Sequence, residues 1–255
     1  EPQRADKIAA AYLDARRHNQ DFQETAVRLD AESLLPAGEL GKLWQQNFQA
    51  AAKRIDGALL QSPKLPPFAY EIQFDGQTLQ GNLGNLYQCG QVFYLDRKPN
   101  APQRIVLLLE YLIFCAVGSA VGSSETETRQ THIVQPEETR LYPEIPSSQA
   151  QQMLQKWLTF FNLGQTRPLP FFAKTSLAAA EAYGKKQSWE DALNKANESY
   201  HGNKVSKGQK DYTEVALVFG NEDTEPVEGA LFQSLVEELL IPLLDAVKEE
   251  SSDAA

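Results

Sequence analysis

Phe68-Ala-Tyr-Glu-Ile-Gln-Phe74, Asp75-Gly76 and Gln77-Thr-Leu-Gln-Gly-Asn-Leu83 form the stretch on which the fold turns. Phe68, Tyr70, Ile72 and Phe74 alternate with Ala69, Glu71, Gln73 and Asp75. A two-residue period means one face buried and one face wet, which is a half-buried strand. Asp-Gly is a favoured hairpin turn, because Gly adopts a positive φ without strain. Leu79, Gly81 and Leu83 then continue on a return strand. A second turn near Gln88-Cys-Gly90 leads into Val92-Phe-Tyr-Leu95, an unbroken apolar strand. The expectation is a three-stranded antiparallel meander over 68–96, with Gly84 and Asp96 close together on neighbouring strands.

Upstream, Ser62-Pro-Lys-Leu-Pro-Pro67 is a stiff linker, since Pro lacks an N–H and disfavours helix in the residue before it. Residues 5–56 before it read as three helices. Their apolar faces are Ile8, Ala9, Tyr12 and Leu13; Phe22, Ala26 and Leu29; and Leu40, Leu43, Trp44, Phe48, Ala51 and Ile55. Leu34-Leu-Pro-Ala-Gly38 interrupts the pattern and turns the chain into the third helix.

Downstream, Pro99 and Pro102 end the strand segment, and 103–117 is apolar almost all round. Such a helix is expected to lie buried, with Ile105, Leu108, Leu109 and Leu112 against the meander. Gly118 to Glu127 reads as a loop, followed by short strands at 129–135 and 139–142. Ser148 with Gln151 has capping-box spacing before a helix carrying Met153, Leu154, Trp157, Leu158 and Phe161. Gly164 sits where a left-handed cap would close that helix. After the extended Pro168-Leu-Pro-Phe-Phe172, helices are expected at 176–183 and 189–200, the second capped by Ser188. His201 to Lys210 is a polar loop, and 211–219 suits strand or helix equally. A last helix over 225–248 should kink at Pro242. The fold class is α/β (α+β), divided into a helical segment at 1–60 and an α/β domain at 65–255.

The chain has 255 residues, 42% of them hydrophobic and 23% charged, a globular composition. The net charge of −10 is concentrated at the C-terminus. Residues 220–255 carry one Lys and ten acidic residues, whereas 61–219 carry fifteen of each sign. A free-standing basic DNA-binding module is thereby excluded. Cys89 and Cys115 are too few for a disulfide scaffold, and His18, His132 and His201 lack zinc-ligand spacing. The N-terminus has no signal-peptide pattern and no Met, as expected of a fragment or processed product of a soluble, cytoplasmic protein.

One tripeptide has catalytic spacing. Asp96-Arg97-Lys98 ends the third strand, and a carboxylate two residues before a Lys is half of a PD-(D/E)xK nuclease site. In such a site two carboxylates hold a divalent cation and the Lys orients water. The second carboxylate is missing, because there is no Asp or Glu from Gly76 to Phe93. Glu110 is a weaker candidate on the apolar helix. A solvated strand end would carry the same tripeptide. Lys174, Lys204, Lys207 and Lys210 are candidates for phosphate contact. The aromatics of 168–172 suit a core more readily than a stacking surface.

In order along the chain, five strings resemble the C-terminal domain of RecC, gamma subunit of the RecBCD helicase–nuclease (exodeoxyribonuclease V). They are Glu1-Pro2 opening a helix with Asp6 and Tyr12; Leu34-Leu-Pro-Ala-Gly-Glu-Leu-Gly-Lys-Leu-Trp44; Leu107-Leu-Leu-Glu-Tyr-Leu-Ile-Phe-Cys-Ala-Val-Gly118; Pro168-Leu-Pro-Phe-Phe-Ala-Lys-Thr-Ser176; and Ala192 to Gly202 with Tyr200. The closing Ile241-Pro-Leu-Leu244 completes the set. The resemblance implies an inactivated PD-(D/E)xK nuclease-like domain, restriction-endonuclease-like, accompanied by a small helical bundle. The metal-binding Asp of an active relative would fall at Gly84, leaving Gly84, Asp96 and Lys98 as vestigial positions with no catalytic residue, metal or cofactor. It further implies the beta and alpha subunits as partners, with single-stranded DNA in the assembled complex, in DNA repair and recombination. Two other readings remain: an active metal-dependent nuclease using Asp96 and Lys98, and a protein-docking module without DNA contact.

Overall fold

A computed structural model describes residues 2–55, 60–118, 130–203, 207–220 and 225–248. Lys204 and the expected loop from 119 to 127 lie outside the described residues. By internal contacts the chain forms two compact units. One comprises 1–99 and 117–144, the other 100–116 and 145–255.

The first unit opens with helices α1 (Pro2–Arg17), α2 (Phe22–Ala31) and α3 (Glu39–Lys53). Asp21 caps α2 by accepting from the Gln23 N–H. The three helices share a core of Ile8, Tyr12, Leu29, Leu35, Phe48 and Ala52. Leu40 and Leu43, expected on the buried face of α3, are instead 53% and 51% exposed. The buried positions of α3 are Gly41, Phe48, Ala51 and Ala52.

Strands β1 (Phe68–Phe74) and β2 (Gln77–Leu83) form the expected hairpin around Asp75-Gly76, with Phe74 opposite Gln77 and Gly76 at φ 75°. Tyr70 lies opposite Gly81, where an added β-carbon would come within 2.9 Å of the ring's Cζ. A side chain there would force that ring to shift.

The meander ends there. The hairpin is a sheet of its own, and a second sheet has the order β3 (Leu86–Tyr87), β4 (Gly90–Tyr94), β5 (Gln130–Val134) and β6 (Thr139–Tyr142). Asn85, in the left-handed region at φ 55°, breaks the chain direction between β2 and β3. The third expected strand, β4, pairs antiparallel with β3 and parallel with β5. Antiparallel register places Leu86 opposite Gln91, and the Val92 N–H donates to Asn85 O at 2.8 Å. Gly84 falls between the two sheets, so the meander that would have set it on a strand beside Asp96 does not form. Leu13, Ala51, Ile55 and Leu60 close over Tyr87, Val92 and Val134, so the helices bury one face of this sheet.

The connection between parallel β4 and β5 runs through α4 (Ala101–Val117), as a parallel pair requires. This helix groups with the second unit rather than with the sheet, against the expectation that it packs across a meander. Leu108, Tyr111 and Leu112 are fully buried, Leu109 is half-buried and Val106 is 54% exposed. The helix therefore has one wet edge despite its composition.

In the second unit α4 is followed by α5 (Ser147–Gly164), α6 (Ala173–Lys186) and α7 (Trp189–His201). The expected capping box does not form. Ser147 Oγ and Gln151 Nε2 instead donate to Ala116 O, at 2.6 and 3.2 Å, tying α5 to the end of α4. Gly164 is the last helical residue, and Gln165 beyond it is right-handed, so no left-handed cap closes α5. Ala179, Ala180, Ala192 and Ala196 are buried, and these small residues let α6 and α7 approach closely. Ser188 caps α7 as expected, accepting from the Asp191 N–H at 3.3 Å. Lys186 donates to the Asp191 carboxylate and holds its pKa below the usual range.

The ambiguous 211–219 stretch is helix α8 (Thr213–Phe219) after a short 3₁₀ turn, Gln209–Asp211. The last helical run begins at Ala230, not 225. It comprises α9 (Ala230–Leu235), a π-helical segment Val236–Leu240 and α10 (Ile241–Ala246). The Ile241 N–H reaches back to Val236 O, one residue further than in an α-helix. That wider turn accommodates Pro242, whose ring and missing N–H disrupt ordinary α geometry. No described helix is long and apolar enough to cross a membrane.

Candidate functional site

Asp96, Arg97 and Lys98 emerge just beyond the carboxyl end of β4, beside the carboxyl end of β5. In α/β sheets this is the edge where ligands commonly bind. The Leu95 N–H donates to Val134 O at 2.9 Å, so the pairing extends to the residue before Asp96. Across from it, the β5–β6 turn is closed by the Gln135 N–H donating to Glu138 O at 2.9 Å. Arg54 Nε donates to Pro136 O at 2.6 Å and fixes the turn to the end of α3. Between these walls lies a polar cleft of about 510 Å³, lined by Asn47, Asp96, Lys98, Gln135, Glu137 and Arg140 among others.

The cleft's charges largely answer one another. Asp96, with its side chain 18% exposed, faces the Arg97 guanidinium at 3.9 Å. Glu138 receives Arg140 at 2.6 Å. Glu137 and Glu138 are exposed on the turn, and Lys98 is exposed at the strand end. Asp96 and the two glutamates line one cleft, yet among the described residues no three His, Cys, Asp or Glu side chains gather closely enough to hold a metal ion. Gly84 does not line the cleft. The donor set therefore does not fit the divalent cation of an active PD-(D/E)xK site. What remains is an open polar cleft whose acidic and basic side chains stand close to one another.

The lysine candidates fall in the second unit. Lys174 is in the first turn of α6, Lys210 is in the 3₁₀ turn and Lys207 precedes it. Gln209 Oε1 accepts from the Thr175 N–H at 2.8 Å, bringing the neighbours Lys174 and Lys210 to the same end of the α6–α7 pair. Lys210 Nζ lies 2.9 Å from His201 Nδ1. Lys207 Nζ stands 5.1 Å from the centroid of the Tyr212 ring. Tyr212, 42% exposed, was not legible as a site residue from its ambiguous 211–219 context. The aromatics of 168–172 are structural: Phe171 meets Trp157, and buried Phe172 meets Tyr200 and Phe219. Glu110 is half-buried on α4, outside the cleft lining.

Fold and site together define a mixed α/β protein with an Asp-x-Lys at its strand-end cleft and, among the described residues, no gathered set of carboxylates. The family model of the RecC C-terminal domain matches residues 3–184, and the chain belongs to that family. Its place is therefore in the gamma subunit of the RecBCD helicase–nuclease, exodeoxyribonuclease V, which acts in DNA repair and recombination. Comparison with curated proteins gives no match.

Proposed function

We propose that this chain is a non-catalytic, nuclease-like domain that helps assemble the helicase–nuclease with its alpha and beta subunits and lines the passage for unwound single-stranded DNA. The observation that carries the reading is the cleft at Asp96. It has the strand-end position and the Asp-x-Lys of a nuclease, but Asp96 faces Arg97 and Gly84 supplies no side chain. A hydrolytic Mg²⁺ needs carboxylates to hold it, and here they are not gathered. The parallel β4–β5 pair, joined through α4, supports kinship with the nuclease fold, as does the short β3 antiparallel to β4. On this reading 65–255 is the nuclease-like part and 1–60 its accompanying bundle. Lys174, Lys204, Lys207 and Lys210 are the DNA-contact candidates, and the domain works in the cytoplasm without a cofactor.

Photo-cross-linking tests the passage. The assembled three-subunit complex, unwinding DNA that carries 5-iodouracil, should yield adducts on peptides of this chain. Adducts confined to the other subunits would remove the passage role.

A further inference from the structure

We propose that Tyr212 is a base-stacking residue, held with Lys207, Lys210 and Lys174 on a preformed platform for single-stranded nucleic acid; this rests on the DNA-passage reading above and deepens it. The platform is built rather than floppy. Gly202 and Lys207 form an antiparallel bridge, which anchors the chain leading into the platform to the end of α7. Gly208 is buried so tightly there that a β-carbon would fall 2.4 Å from Tyr200 O and from His201 O. Gln209 is tied to the Thr175 N–H, and Thr175 Oγ1 donates to Ser199 Oγ at 3.3 Å, locking the 3₁₀ turn to α6 and α7. The Tyr212 N–H donates to Gln209 O at 3.1 Å, so the ring is carried by that anchored turn.

On this base a partly exposed aromatic ring has one face toward an ammonium group, a pairing that suits single strands: the ring's other face takes a base and the cation a phosphate. Charge alone does not suffice. Asp211, Glu214 and Glu225 lie near the three lysines in sequence or space, and Glu225 sits 3.8 Å from His201 Nε2. With so little net positive charge, the sequence-tolerant stacking contact has to supply most of the hold. The Tyr212 ring is the group on this platform able to do so.

The test is fluorescence anisotropy of labelled oligothymidylate titrated with the full chain at low salt and again at increasing salt. Tyr212→Leu should weaken binding about tenfold, and Tyr212→Phe, which keeps the ring, should bind as the wild type does. Lys207→Gln should also flatten the dependence of log K on log salt by about 0.7, which Tyr212→Leu should not. Wild-type affinity in Tyr212→Leu, with the salt dependence still flattened in Lys207→Gln, would overturn the stacking role and leave the DNA reading standing. No binding by the wild-type chain would overturn the platform, while the passage reading stands or falls with cross-linking in the assembled complex. In that case the exposed Tyr212, Leu217 and Val218 would mark a protein-docking face instead.

Discussion

A β-carbon on Gly90 would fall 2.0 Å from the carbonyl oxygen of Gln130. Gly90 opens β4 at φ 134°, a conformation that L side chains rarely adopt, and it is the first residue paired with β5. This contact is what allows the parallel pairing to start there. Gly90→Ala should therefore cost at least about 3 kcal/mol, combining backbone strain with a clash against main chain that cannot retreat. Urea denaturation of the variant against wild type measures it.

Arg17 ties α1 to the linker, donating from Nε to Leu60 O at 2.6 Å and from Nη2 to Ser62 O at 2.7 Å. Its guanidinium also stands 6.0 Å from the Tyr87 ring centroid. Arg17→Met keeps the apolar stem but loses both charged donors, and about 2 kcal/mol of stability should go with them. Arg17→Lys should recover only part, because a single ammonium does not reproduce the fork.

Leu108 and its neighbour Leu109 separate two views of α4. Leu108 is fully buried and Leu109 half-buried. Leu108→Ala should cost about 3–4 kcal/mol as a core truncation, and Leu109→Ala about half of that or less. Equal losses in denaturant melts would restore the helix that is buried all round.

Tyr12 is fully buried, and among the described residues neither its hydroxyl nor Gln49 Nε2 makes a well-formed hydrogen bond. Burial raises the Tyr12 pKa above the ordinary tyrosine value, with the nearby Gln49 side chain offsetting part of the rise. The folded state thus favours the neutral phenol. Its contribution is fully present below about pH 10 and is lost as pH rises through the folded pKa. Tyr12→Phe should be neutral or stabilising by up to about 1 kcal/mol, since it removes an unpaired buried hydroxyl. It should also blunt the alkaline loss of stability seen in thermal melts.

The hairpin was legible because its information is local: four alternating apolar residues, then Asp75-Gly76. The partner of β4 was not. Val92 pairs with His132, forty positions along the chain, and nothing around Val92 distinguishes a parallel neighbour from an antiparallel one. Gly90 was visible as a turn residue, but its reason, the close approach of Gln130, is non-local. In the cleft, Asp96 and Lys98 could be picked out by spacing, whereas Glu137, Glu138 and Arg140 reach it only through the β5–β6 turn. The capping box expected of Ser148 and Gln151 failed for a similar reason: Gln151, with Ser147, found the Ala116 carbonyl, a partner more than thirty residues away.

The most direct measurement is DNA degradation by the assembled complex, with Mg²⁺, when this domain carries Asp96→Ala and Lys98→Ala together. We expect the rate of the double variant to equal that of the wild type, and the full chain alone to leave linear single- and double-stranded DNA intact. A loss of about a hundredfold in the complex, the scale expected when a metal-holding group is removed, would show that the cleft is a working nuclease centre. Degradation by the chain alone that disappears in Asp96→Ala would show the same.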